Sequence, residues 1–506
     1  MNVKRNIIND ERITTRLIGI LILMIIVLSF VACGERNALV KPALSAAGQP
    51  AGAPANANTS TPVNSYADVV SRVAPAVVTI RSERRVRAPQ QQPFMDDPML
   101  RDFFGNQMPR SPQQGEGGHI SALGSGVIVS SDGYILTNHH VVDGAEEIKV
   151  VLANNKSYDA KVVGSDPPSD LAVLKVEAKD LPVLSLGDSD RVRVGDVALA
   201  VGNPLGVGQT VTAGIISAKG RSTGLSDGSF EDFLQTDAPI NQGNSGGALL
   251  NTSGELVGIN SQILSPSGGN IGIGFAIPAN MARVVMDQLI KNGKVRRGQL
   301  GILAQPVTSD IAASINLGEA RGVIVGSVQQ GSAAERAGVK QGDVITAINN
   351  EAVNDSNALR NLVASMQPGT EVALTIVRDG KEQQLRATLG ELIASTNGNG
   401  AQSDGGQGAN DGGQLGLKVE PLTPEIAAQL GLRSNAQGLV VAGVDPSGPA
   451  ADAGIRQGDV IEQINRQPVR SVADVRAALQ RSGNRPALLL VNRRGNTVFI
   501  TVQPRQ

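Results

Sequence analysis

The sequence predicts a mainly β chain divided into about three folded units, and three observations carry that expectation. With 506 residues the chain is too long for one core. Aromatic residues make up 2% and Trp is absent, so Val, Ile, Leu and Ala must build the cores, a profile that suits many short strands. A segment near residue 337 returns near residue 453, which marks a duplicated module. The formal net charge of −1 gives no reason to expect a nucleic-acid partner.

The first unit is defined by three segments in order: Thr137-Asn138-His139-His140-Val141-Val142, Ser169-Asp170-Leu171-Ala172-Val173 and Gly243-Asn244-Ser245-Gly246-Gly247. Each alone is unremarkable, since Gly, Asn and Ser favour turns. Together they supply a base, an acid and a nucleophile. A serine hydroxyl needs an imidazole to take its proton, and the imidazole needs a carboxylate to fix its tautomer. The chain holds only three histidines, His119, His139 and His140. Two of them follow the strand-like run Gly133-Tyr134-Ile135-Leu136-Thr137. The order His, Asp, Ser is that of the chymotrypsin-like double β-barrel, which is the expected fold of residues 65–290. Adjacent side chains on an extended strand point to opposite faces, so only one of the two histidines can address Ser245. Backbone N–H groups at a glycine-rich turn can stabilise a developing oxyanion, and Gly243 and Ser245 are the expected pair.

At these residues the chain resembles the HtrA/DegP family of bacterial trypsin-like serine proteases. The resemblance rests on Gly124-Ser125-Gly126-Val127-Ile128, Asp132-Gly133-Tyr134-Ile135-Leu136-Thr137-Asn138, Asp170-Leu171-Ala172-Val173-Leu174 and Gly243-Asn244-Ser245-Gly246-Gly247-Ala248-Leu249. It implies an endopeptidase in which His140 is the general base, Asp170 orients it and Ser245 attacks. His139 stands where the family usually has Asn. A register slip of one residue would make His139 the base instead. The resemblance places Ile240, Ile263 and Ile273 around the primary specificity pocket. No acidic residue falls at the expected positions there, so small aliphatic P1 residues are expected; the alternative is that these isoleucines simply fill the barrel core. It further implies homotrimers or larger assemblies of trimers, and an activity switch in loops around 217–231 and 265–274. The polar segment 84–118 would correspond to a regulatory loop, with Phe103 and Phe104 as candidate contacts to a neighbouring subunit or to their own domain.

The duplicated modules should span 298–390 and 414–503. Ala337-Gly338-Val339-Lys340-Gln341-Gly342-Asp343-Val344-Ile345 reappears as Ala453-Gly454-Ile455-Arg456-Gln457-Gly458-Asp459-Val460-Ile461. These repeats look like PDZ domains, small partly open β-barrels with flanking helices. Such a module takes a peptide as an added strand while successive N–H groups of a short loop receive its C-terminal carboxylate. The loops Gln299-Leu300-Gly301-Ile302 and Gln414-Leu415-Gly416-Leu417 fit that role, and helical runs at 357–365 and 472–480 should form the opposite walls. Between the modules, 391–413 is rich in Gly, Asn, Gln and Ser and reads as a flexible linker that lets them move independently.

The N-terminal segment 1–33 carries Lys4, Arg5, Arg12 and Arg16 before an apolar run at 17–32. It reads as an export signal or anchor. Three readings stay open: a lipoprotein signal cleaved before the single cysteine, Cys33; an uncleaved membrane anchor; and a plain cleaved signal. Each places the catalytic part in the periplasm or cell envelope. Residues 34–64 are Ala-, Pro-, Gly- and Asn-rich, which suits a flexible tether. Unfolded exported polypeptides and apolar C-terminal peptides are the expected ligands. No cofactor is implied, because the chain has no metal-ligand cluster and no Walker-type loop. A binding scaffold with little proteolysis, or a site-specific signalling protease, are the competing functions.

Overall fold

A computed structural model of the protein describes residues 65–85, 119–203, 208–224, 229–265, 269–392, 415–433, 436–482 and 485–505. Cys33, Phe103, Phe104 and Gln414 lie outside the described residues.

Successive side chains of a strand face opposite sides, so a strand covered on both faces must be apolar almost throughout. The strand Leu171–Val176 of the first barrel obeys this rule. The barrel closes in the order β1 (Val77–Arg85), β2 (His119–Ile128), β3 (Tyr134–Thr137), β6 (Leu171–Val176), β5 (Ser157–Asp166), β4 (Glu147–Val151). In β6, Ala172, Leu174 and Val176 fill the barrel, while Leu171 and Val173 face a layer shared with the second barrel. The second barrel consists of β7 (Val197–Gly202), β8 (Thr210–Arg221), β9 (Phe233–Thr236), β10 (Ala248–Leu250), β11 (Leu256–Ile263) and β12 (Gly274–Pro278). Its β7 repeats the pattern, with Ala198 and Ala200 inside and Leu199 and Val201 at the shared layer. The helix Ala279–Asn292 adds Ala282, Val285 and Leu289 to that layer. The barrel seam is thus fixed by apolar packing, and catalytic groups from different barrels can meet there.

One local expectation is corrected. The strand reading ends at Thr137, and His139–Val142 forms a single helical turn. Successive residues then diverge by about 100°, the angular step of a helix, so the two histidines still point apart, for a different geometric reason.

Each C-terminal module is a five-strand path of antiparallel sheet with one further two-residue strand beside it. The first runs Ile302–Pro306, Val323–Val328, Val344–Ile348, Glu371–Arg378 and Lys381–Thr388; the second runs Leu417–Pro421, Leu439–Val444, Val460–Ile464, Ala487–Arg493 and Asn496–Val502. The aspartate of each repeated Gly-Asp-Val-Ile segment is buried and takes a bidentate arginine. Arg378 Nε and Nη2 donate to Asp343 at 2.7 Å each, and Arg493 does the same to Asp459 at 2.8 and 2.7 Å. The expected helical walls are present as Ser356–Ser365 and Val472–Ser482.

The two modules are not independent bodies. Val307, Ile311, Ala312, Ile324 and Val344 of the first share one apolar cluster with Leu488, Leu490 and Phe499 of the second. The Gln305 amide donates to Phe499 O and accepts from Phe499 N, both at 2.8 Å, so it imitates a strand partner on the last strand. Thr497 Oγ1 donates to Gly326 O at 2.7 Å. Gly390–Glu391 pairs with Gly298–Gln299, so the first module's edge extends to Glu391.

Truncating Phe499 to Ala should cost about 3–5 kcal/mol in urea unfolding. It should also expose the amides of Asn496–Val502 to hydrogen exchange. Unchanged exchange with less than about 1 kcal/mol lost would mean that the docking contributes nothing.

Candidate active site

Asp170 is delivered by an unusual piece of backbone. Pro167–Ser169 forms one turn of 3-10 helix, and Asp170 follows it in the left-handed conformation with φ of 53°. Its main-chain carbonyl accepts from His139 N at 3.1 Å and from Asn138 Nδ2 at 2.9 Å, which locks the histidine turn against it. Its carboxylate then meets His140: both oxygens lie 2.9 Å from Nδ1, and Oδ1 accepts the His140 backbone N–H at 3.1 Å. From the second barrel, Ser261 Oγ donates to Oδ2 at 2.9 Å. Burial pushes the Asp170 carboxyl up, but the charge and hydrogen bonds of His140, with the bond from Ser261, outweigh it and hold the group below the usual carboxylate range. An ionised carboxylate on Nδ1 fixes the tautomer that leaves Nε2 able to accept a proton. His139 points elsewhere, with Nε2 3.6 Å from Asp143.

Ser245 is 1% exposed and its hydroxyl donates to the main-chain oxygen of Ser261 at 3.0 Å. Ser261 therefore bridges Ser245 and Asp170, its carbonyl to one and its hydroxyl to the other. Composition and motif spacing contained no signal for this residue, because it lies mid-strand in β11, sixteen positions beyond Ser245. Gly243 adopts φ of 94°, and among the described residues neither Gly243 N–H nor Ser245 N–H donates to a protein acceptor. Ile240 and Ile263 lie in the apolar cluster of the second barrel, while Ile273 is half-buried against the shared layer. Asn270 Nδ2 donates to Ile240 O at 3.0 Å, tying the 269–274 segment to them.

The carboxylate-loop candidates occupy matching places in the two modules. Leu300 and Leu415 are buried, Gly301 and Gly416 take φ of 75° and 71°, and Ile302 and Leu417 begin the following strands. Beside the first loop is a groove of about 460 Å³ between Ile302–Pro306 and the helix Ser356–Ser365, lined by Leu300, Ile302, Ala304, Leu359 and Val363. Phe230 of the protease unit also lines it, its ring beneath the guanidinium of Arg297 at 4.5 Å and that of Arg360 at 4.9 Å. The neighbouring Glu231 carbonyl accepts from Asn357 and Asn361, both at 2.6 Å. Phe230 N donates to Pro168 O at 2.6 Å, two residues from Asp170. Arg297 makes a buried two-point ion pair with Asp166, which also caps Ser169 N at 3.1 Å. Phe230 and Glu231 close the 217–231 segment, and Asn357, Arg360 and Asn361 lie on the helical wall, but their pairing across this junction is not visible to periodicity.

Asp232 sits at the same junction. Desolvation, with the like charges of Asp190, Asp355 and Glu351, pushes its carboxyl up to about 6, against an opposing pull from Lys219. A carboxyl raised in the folded state is best tolerated when protonated, so its contribution is fully present below its ordinary value and is lost as pH rises through about 6. Asp232→Asn should therefore raise the melting temperature relative to wild type at pH 7.5 and not at pH 4.0. Equal shifts at both pH values would contradict this.

Comparison with known proteins bears on the whole arrangement. Residues 124–259 match the trypsin-like peptidase domain family, and 298–389 and 440–493 match PDZ domain families. The chain is 43% identical over 444 residues to a probable periplasmic serine endoprotease, DegP-like, of Chlamydia muridarum, spanning 84% of this chain and 86% of that protein. A protein of the same description from Hahella chejuensis is 44% identical over 447 residues, spanning 87% and 93%. Among solved structures, the HtrA-type protease AlgW with decapeptide superposes with a TM-score of 0.52 at 44% identity, over 65% of this chain and 100% of that one. A mainly β, trypsin-like double barrel followed by two peptide-binding PDZ modules, with relatives this similar over this much of its length, makes the chain a member of the DegP-like, HtrA-type family of periplasmic serine endoproteases.

Proposed function

We propose that His140, Asp170 and Ser245 are the base, orienting acid and nucleophile of acyl-enzyme peptide hydrolysis. The reading is carried by the hydrogen-bond circuit from Ser245 through Ser261 to Asp170 and His140. His140 takes the Ser245 proton as Oγ attacks the scissile carbonyl, then returns it to the leaving amine. Asp170 steadies the imidazolium, and the N–H groups of Gly243 and Ser245 receive the oxyanion. Water repeats the sequence on the acyl-enzyme and restores the serine.

Ile240, Ile263 and Ile273 give the P1 site an apolar wall without a carboxylate, which favours Val, Ala or Ile. Unfolded or damaged exported proteins are the substrates. Their apolar C-termini dock in the groove beside Gln299, Leu300, Gly301 and Ile302, raising the local concentration of neighbouring segments at Ser245. Leu415, Gly416 and Leu417, with Gln414, offer a second such site. The protein works as a homotrimer or a larger assembly of trimers, held to the membrane by a lipidated Cys33 or an uncleaved anchor. An acylated Cys33 or an intact Met1 at the mature N-terminus would support tethering, and a soluble chain starting beyond residue 33 would remove it.

Casein digestion tests the chemistry. Ser245→Ala should lose turnover by on the order of 10³-fold or more, and Asp170→Asn by about 10⁴-fold in kcat with KM little changed. Turnover by Ser245→Ala equal to wild type would remove Ser245 from the mechanism. In a peptide series varied at P1, cleavage should be fastest after Val, Ala or Ile; fastest cleavage after Arg would refute the pocket.

A further inference from the structure

The Gly124-Ser125-Gly126 segment of β2 belongs to the first barrel and lies outside the base, acid and nucleophile. Its two glycines face the barrel interior side, where a Cβ on Gly126 would come within 2.8 Å of Ile80 and Ile135, and one on Gly124 within 2.6 Å of Val141. Alternation turns Ser125 the other way, toward the nucleophile turn of the second barrel. It is fully buried there.

Ser125 grips that turn at two points. Its N–H donates to Ser245 O at 2.8 Å, and its hydroxyl lies 2.6 Å from Gly243 O. The direction of the hydroxyl is fixed by its other partner. Asn203 N–H approaches the same oxygen at 2.9 Å and can only donate, so the Ser125 proton must go to the Gly243 carbonyl. The peptide joining Gly243 and Asn244 is then held at both ends, because Asn244 N donates to Asn241 O at 2.9 Å. Gly243, without a Cβ and at φ of 94°, offers little resistance to rotation of its own. A buried carbonyl deprived of its donor is costly while it stays unpaired, so the turn would rotate to find another partner.

We propose that Ser125 is a positioning residue for the oxyanion site: its hydroxyl holds the Gly243 carbonyl so that the N–H groups of Gly243 and Ser245 stay directed at the reacting carbonyl. This rests on the assignment of those N–H groups made above. Ser125 touches neither substrate nor reacting atoms, and acts through the backbone of the turn alone.

The test uses the full chain and compares Ser125→Ala with wild type for kcat and KM on a peptide substrate, inhibition by a peptide boronic acid, and binding of the product peptide. A boronate bonded to Ser245 places an oxygen in the oxyanion site, whereas the product peptide measures ground-state binding. For Ser125→Ala, kcat should fall about 10- to 100-fold, less than the loss of a direct oxyanion donor. Boronate affinity should fall by the same factor, with KM and product affinity within about twofold. Ser125→Cys, nearly isosteric and a weaker donor, should recover part of both losses, and it supplies the comparison should the alanine variant fail to fold. Boronate affinity unchanged in the variants, or product affinity lost in equal measure, would overturn the role of Ser125. Wild type binding the boronate no more tightly than the product would instead overturn the oxyanion site itself.

Discussion

The carboxylate of Asp170 is the constraint on which the rest of the proposed catalytic arrangement depends. It sits on a left-handed residue at the end of a Pro-Pro-Ser turn and receives donors from both barrels: His140 from the first and Ser261 from the second. An anion in that setting is tolerable only while its donors stay in place. Holding them there is the work of the apolar layer formed by Leu171, Val173, Leu199, Val201 and the helix Ala279–Asn292. Core packing and site geometry are therefore one problem in this molecule. A shift of the barrels relative to each other would separate Ser261 from Asp170 before it disturbed either barrel's own ladder.

The same backbone turn is tied to the first PDZ module. Pro168 accepts from Phe230, Asp166 pairs with Arg297, and Phe230 lies under Arg297 and Arg360 at the edge of the peptide groove. The duplication shows why, among the described residues, the second module is not fastened this way. Asn357 and Asn361, which bind the Glu231 carbonyl, correspond to Ala473 and Ala477 in the second module, and alanine has no amide to offer. The second module is held from a different side, through Gln305 and Phe499, and its own counterpart of Gln305 is Glu420. Two copies of one fold have thus acquired different neighbours through a handful of surface substitutions.

The segments proposed to carry the chemistry, and the repeat, were legible in the sequence because they depend on residue type and order. Strand alternation, turn glycines such as Gly301 and Gly416, and the capped helix Ser356–Ser365 follow from local physics and were equally open to reading. The helical turn at His139–Val142 was not, since a strand ending one residue earlier leaves the same apolar pattern. Ser261 and Arg297 were invisible for another reason. Their partners lie in other barrels or units, and an ordinary serine or arginine carries no mark of a distant contact. Independent motion of the modules was inferred from linker composition, which is blind to the apolar cluster around Phe499.

The central claim is that burial and hydrogen bonding make one serine uniquely nucleophilic. Labelling the purified full-length protein with a fluorophosphonate, followed by peptide mapping in a mass spectrometer, tests it without knowledge of any substrate. The account predicts a single adduct, on Ser245, that is lost when His140 is replaced by Ala. An adduct on another serine, or undiminished labelling without His140, would contradict it.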